Sequence, residues 1–179
     1  VLVLCMTTMV LSGIDPTDTR LMEQPAISQD HIAFIYANDL WVAELDGSQP
    51  RRLTISEGIE SRPHFSPDGK HIAFSAEYDG NMDVFLLPVE GGIPKRLTWH
   101  PMADLVAGVT PDGSKVLCLS MRTVHTGRFR QLHTGPVEGG CPEKLVIPNA
   151  FHDCYSPDGS SMVYTPISDR FRQWKNYRG

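Results

Sequence analysis

An all-β chain built from one repeating four-stranded unit is what this sequence predicts, and three markers recurring in fixed order predict it. A turn tetrapeptide, Ser/Thr-Pro-Asp-Gly, occurs at 66–69, 110–113 and 156–159, with steps of 44 (66 to 110) and 46 (110 to 156) residues. A second marker, Val-Glu-Gly-Gly, occupies 89–92 and 137–140, and Leu-Asp-Gly-Ser at 45–48 takes its place one unit earlier. A third follows each of these: Arg-Arg-Leu-Thr at 51–54, Lys-Arg-Leu-Thr at 95–98 and Glu-Lys-Leu-Val at 143–146. Self-similarity at this period is the signature of repeated supersecondary units.

Each element of the unit has a physical reason, shown best by residues 62–98. Pro-His-Phe at 63–65 is a short strand. In the turn that follows, Pro67 pre-sets φ, Asp68 tolerates the next position, and Gly69 takes a conformation closed to other residues. His71–Glu77 is rich in β-forming residues and reads as the second strand. Tyr-Asp-Gly-Asn at 78–81 is a hairpin turn. Met82–Val89 is mostly apolar and reads as a strand buried on both faces. Glu-Gly-Gly turns again, and Pro94–Thr98 is a short outer strand, since proline suits an edge.

Four antiparallel strands in a unit of this length are the β-propeller pattern. No segment carries a sustained 3.6-residue apolar period, so no helix is expected. The register gives a leader at 1–20 and a propeller domain over 21–179, with blades at about 21–55, 58–99, 103–147 and 150–179. In the first blade Ile-Ser-Gln-Asp-His-Ile replaces the regular turn and the glycine is lost. About three and a half units fall short of a closed ring, so the chain reads as part of a larger propeller.

Composition is that of a globular chain, 41% hydrophobic and 21% charged, with a net charge of −5. That balance argues against a polyanion binder. The apolar start, Val-Leu-Val-Leu-Cys-Met-Thr-Thr-Met-Val-Leu-Ser-Gly, is too short to span a bilayer. It resembles the apolar region of an export signal, although a basic stretch before it is missing. A periplasmic or secreted location is therefore expected; a cytoplasmic one follows if the segment is instead a buried strand. Outside it lie Cys118, Cys141 and Cys154, with no CxxC spacing and no disulfide framework.

Chemistry is expected elsewhere than in these residues. There is no GxSxG elbow, and Ser66 and Ser156 recur at a turn, which marks a repeat constraint. His31, His64, His71, His100, His125, His133 and His152 form neither HxH nor HExxH, and His31 and His71 are repeat equivalents. Asp79–Asp83 partly mimics a calcium loop but lacks the later glutamate. No catalytic, cofactor or metal residue is assigned, and no cofactor is expected. The ending, Arg-Phe-Arg-Gln-Trp-Lys-Asn-Tyr-Arg-Gly at 170–179, combines bases and aromatics as a nucleic-acid grip would. Its place inside the fourth unit of an acidic chain favours a long inter-strand loop, whose charge could attract peptide carboxylates.

Phe65–Phe74 with Asp83–Thr98 resembles the repeat of TolB, the tricorn proteases and the prolyl oligopeptidase group. Gln24–Thr54, with Asp39-Leu40-Trp41, resembles the opening of tricorn proteases, and Phe171–Gly179 resembles a Trp-Lys-x-Tyr-Arg-Gly segment of their fourth blade. The likeness runs from about Gln24 to Gly179. It implies the N-terminal six-bladed propeller of a bacterial tricorn protease homologue, an S41-type serine peptidase. That family joins two propellers, a PDZ domain and a catalytic core with a Ser–His–Ser–Glu tetrad, and no residue of that tetrad can be placed here. It implies oligopeptide substrates guided by the propeller and a homo-oligomer, typically a hexamer. Two rival readings remain: a TolB-like periplasmic interaction protein, and a propeller preceding an α/β-hydrolase domain. If the leader is an export signal, the mature protein lacks about a dozen N-terminal residues. N-terminal sequencing that finds Val1 retained would sink that expectation.

Overall fold

The computed structural model describes residues 22–124, 129–147, 150 and 153–166. Among them every regular element is a strand. The first sheet holds β1 (Met22–Ile27), β2 (His31–Tyr36), β3 (Asp39–Glu44) and β4 (Arg51–Arg52), in that spatial order. The second holds β5 (Glu60–Phe65), β6 (His71–Glu77), β7 (Met82–Pro88) and β8 (Lys95–Arg96). The third holds β9 (Asp104–Val109), β10 (Lys115–Ser120), β11 (Gln131–Pro136) and β12 (Glu143–Lys144). The fourth is the pair β13 (Asp153–Tyr155) and β14 (Met162–Tyr164). All pairings are antiparallel. The sheets meet chiefly through their first strands, β1 against β5, β5 against β9 and β9 against β13. This is an open part of a β-propeller.

The core lies between blades. Ile72, Phe74 and Ala76 of β6 pack with Ile35, Leu40 and Val42 of the first blade. Ala73, between them in sequence, packs with Val106, Val116 and Cys118 of the third. Leu117 and Leu119 then face Ala150 and Tyr155. The two-residue side-chain alternation of a strand thus feeds both neighbours. That explains why the centre of β6 and of β10 is buried on both faces, with exposed residues only at the strand ends.

The regular turns are fixed by their first residue. The Ser66 hydroxyl donates to Asp68 Oδ1 at 2.5 Å and accepts from the His71 amide at 2.9 Å. Thr110 and Ser156 repeat both bonds. Gly69, Gly113 and Gly159 have φ of 69°, 71° and 71°, the left-handed region that favours glycine. The first blade closes the same hairpin with two fewer residues. Ser28 Oγ accepts from the His31 amide at 2.9 Å, and no glycine is needed.

The outer strands β4, β8 and β12 are two residues long, and a side-chain clasp holds the first two of them. Arg96 donates to Asp83 Oδ2 at 2.6 Å and to the Thr98 carbonyl at 2.9 Å, while Thr98 Oγ1 donates to Asp83 Oδ1 at 2.8 Å. In the first blade Arg52 likewise joins Asp39 and the Thr54 carbonyl, both at 2.7 Å. In the third blade Gln131, Lys144 and Val146 stand at these positions.

Gly58 marks the crossing into the second blade. A Cβ there would sit 2.1 Å from the Glu77 carbonyl oxygen, a clash with backbone. Gly58→Ala is expected to destabilise the domain by about 2–4 kcal/mol. Gly47→Ala, strained by its φ of +79° but with open space around it, should cost only about 1 kcal/mol. Urea unfolding of both variants checks the order; equal midpoints would contradict it.

Candidate functional site

The inner strands β1, β5, β9 and β13 lie side by side along the axial surface of the ring. Two of them carry the same irregularity. The pairing of β1 with β2 shifts between Glu23 and Ala26, and that of β5 with β6 between Ser61 and His64. Within these shifts Gln24 and Arg62 have φ of 52° and 55°, left-handed values on residues that each precede a proline. Such backbone is held only when its surroundings over-determine it. Here the Arg62 amide donates to Gln24 Oε1 at 2.6 Å, so each strained residue supports the other.

Arg62 brings charge to this surface. Burial lowers the pKa of its half-buried guanidinium, and the carboxylate of Asp153 on β13 opposes that shift. His64 is held neutral at pH 7, its pKa lowered by burial and then by the Arg62 charge. His64, Phe65, Ala107, Leu117, Asp153 and Tyr155 line one cleft of about 440 Å³. The cleft offers a neutral imidazole, a carboxylate and an apolar wall, with the Arg62 charge near His64 and Asp153, which suits binding of a polar chain better than bond breaking.

A second polar group joins two blades. Glu60 opens β5 and is buried. Its Oε2 accepts from the Leu40 amide at 2.6 Å and from the Thr54 hydroxyl; its Oε1 accepts from Tyr78 Oη at 2.5 Å. Burial raises its pKa against these hydrogen bonds. Asp104 stands at the equivalent place on β9, where Arg122 replaces Tyr78 as its donor. Asp104 Oδ1 is buried without a partner among the described residues, and Thr98, at the place of Thr54, donates to Asp83 instead.

The other sequence-level candidates fall to structural roles. The Ser66, Thr110 and Ser156 hydroxyls are committed to their turns. Asp79 and Asp83 of the calcium-like stretch both accept from Arg96, so a guanidinium occupies the charge a metal would need. Among the described residues no group of three or more His, Cys, Asp or Glu is placed to hold a metal. Cys118 is buried, and burial followed by the Asp104 charge pushes its thiol up to about 12, far from a reactive thiolate. His125, His152 and the basic-aromatic stretch 170–179 lie outside the described residues.

Residues 19–179 match the family described as the tricorn protease N-terminal beta propeller domain. The chain belongs to that family. Tricorn protease homolog 1 of Streptomyces coelicolor is 33% identical over 149 residues, covering 83% of this chain and 14% of the relative. This chain therefore spans about a seventh of that relative's length. A protein of Sulfurisphaera tokodaii described as the N-terminal subunit of a tricorn-like protease is 34% identical over 160 residues, covering 87% of this chain and 80% of that one. Among solved structures, tricorn protease overlays with a TM-score of 0.64 at 24% identity, covering 76% of this chain and 14% of that one. TolB from Acinetobacter baumannii overlays with a TM-score of 0.68 at 21% identity, covering 84% and 39%. These two overlays show the shared fold.

In this tricorn-type propeller the repeat reading found the turn residues and missed Glu60, Gln24 and Arg62. The signal for Glu60 was its position, six residues before Ser66, matched by Asp104 before Thr110. An acid recurring at a strand start, with a hydroxyl or guanidinium twelve residues after each turn, could have revealed the pairs. Linkage follows from the raised pKa of Glu60. Its contribution to stability is full below the ordinary glutamate range and is lost as pH rises through its folded pKa. The stability of wild type minus that of Glu60→Gln is expected to fall with rising pH above that range, then level once Glu60 is ionised in both states. Urea midpoints between about pH 4 and pH 8 would show it; a difference that rises with pH would contradict the assignment.

Proposed function

We propose that this chain is the non-catalytic propeller portion of a serine peptidase that degrades oligopeptides, and that its axial surface guides those peptides. One observation carries the reading: a tricorn-type propeller match over 19–179 whose inner strands present Arg62, His64 and Asp153 together. A desolvated guanidinium recognises carboxylate strongly, and a peptide's C-terminus supplies one. The assembly is proposed to be a homo-oligomer, a hexamer by family resemblance, and to act in the periplasm or outside the cell. The bonds are cut by residues outside this chain.

A second reading, a TolB-like interaction propeller without peptidase activity, is favoured by the fold overlay with TolB. The full-length gene product separates the two. Under the first reading it hydrolyses blocked oligopeptides; under the second it does not. Arg62→Gln is expected to lower kcat/KM about three- to tenfold for peptides with a free C-terminal carboxylate, and by less than twofold for their amides. Its melting midpoint should stay unchanged. An equal effect on acids and amides would overturn the role of Arg62, and absence of hydrolysis would overturn the first reading.

A further inference from the structure

Three positions that the repeat makes equivalent differ in size. Phe65, Val109 and Tyr155 each immediately precede the Ser or Thr of their turn, at the end of an inner strand. Each sits in the wedge between its own blade and the one before. Phe65 packs against the core shared by the first and second blades, and Tyr155 against that of the third and fourth. Val109 fills less of the wedge between the second and third. The cleft there measures about 780 Å³.

This cleft is apolar inside and acidic at its lip. Leu86, Val109 and Val137 form its wall, and Ile93, 91% exposed, stands at its mouth. Gln49 and Cys141 occupy the place of Ile93 in the neighbouring units, so its exposure is not a demand of the repeat. Asp68 and Asp112 come in from the turns on the two sides. Each carboxylate is held by its turn: Asp68 accepts from Ser66 Oγ and the Lys70 amide, Asp112 from Thr110 Oγ1 and the Ser114 amide. Those bonds keep both ionised, with Asp112 drawn down to about 2. Lys95 and His71 also line the cleft, but Lys95 faces Glu138 at 3.4 Å and adds no net charge. Two carboxylates remain in excess.

We infer that the cleft between the second and third blades is a docking site for a peptide bearing a large apolar side chain beside a lysine or arginine. The volume lies within the range of ligand pockets, most of which pair apolar walls with a few placed polar groups. The apolar side chain enters against Val109 and Leu86 under Ile93, and the neighbouring cation meets Asp68 or Asp112. An anionic partner is repelled by the same pair. A second copy docking by the same face would set these carboxylates against their own counterparts, on a chain whose net charge is −5. The site uses neither Arg62, His64 nor Asp153, on which the peptidase reading rests, so it stands or falls apart from that reading.

Calorimetric titration of the full-length gene product with acetyl-Gly-Lys-Trp-Lys-Gly-amide tests it. The expected result is saturable binding, at least about tenfold tighter than to the peptide with Glu in place of Lys. Val109→Phe installs the bulk that the repeat already accepts at Phe65 and should weaken binding at least about tenfold. Ile93→Ser, at an exposed position that does not endanger folding, should weaken it about fivefold. Asp112→Asn should lower affinity about threefold and reduce its salt dependence. No binding, equal binding of the two peptides, or affinity unchanged in both Val109→Phe and Ile93→Ser would overturn the inference. Self-association abolished by Val109→Phe, without peptide binding, would overturn the choice of occupant.

Discussion

The hydrogen bond from Thr54 to Glu60 joins the last segment of one blade to the first strand of the next. Thr54 Oγ1 also accepts from the Leu40 amide at 2.9 Å, so β3 and β5, from two blades, meet at one hydroxyl. A buried carboxylate is costly unless its lone pairs are filled, and Leu40, Thr54 and Tyr78 fill those of Glu60. The angle between the first two blades, and hence the course of the inner strands, depends on this junction. Apolar packing supplies attraction between blades but little direction. Buried polar contacts supply the register: Glu60 at one junction, and the Val106 amide donating to Ser75 Oγ at 2.8 Å at the next.

Short outer strands set a second constraint. A ladder of two residues cannot hold an edge, so the Asp–Arg–Thr clasp does so in the first two blades. The same Thr position serves both purposes, closing its own blade and, through Thr54, receiving the next. In the third blade the clasp residues are absent and Val146 is fully exposed. Asp104 and Arg122 carry the ionic contact there instead, at the other end of the sheet. The exposed Arg51–Glu90 and Lys95–Glu138 pairs run between successive blades at 3.9 and 3.4 Å, and such pairs contribute little.

What the sequence disclosed was whatever is local. The turn from Ser66 to His71 closes within six residues, and its hydroxyl, proline and glycine announce it. The all-β class, the strand order within a blade and the burial of Cys118 follow from the same short-range pattern. What it concealed were contacts between units. The partners of Glu60 lie six residues before it, eighteen after and twenty before, in two different blades. Arg62 could not be recognised as strained, because nothing in Arg-Pro demands a left-handed φ; the shifted pairing with β6 does. The size of the Val109 cleft likewise depends on what the neighbouring blade leaves empty.

In a repeat protein the unit that recurs explains the fold, and the departures from it carry whatever is particular. Ser66, Thr110 and Ser156 are alike because each closes a turn, and their likeness argues against chemistry. Glu60 with Tyr78 and Asp104 with Arg122 differ in residue but keep one geometry, so they too belong to the scaffold. Phe65, Val109 and Tyr155 differ without compensation: no other side chain moves in to occupy what Val109 vacates, and Ile93 at the lip is left in water. Close packing is the rule in protein interiors, and a space left open between two well-packed blades costs contacts that Phe or Tyr would supply. A space that Phe65 or Tyr155 would narrow and Val109 leaves open is what a binding site looks like when it is built into a repeat.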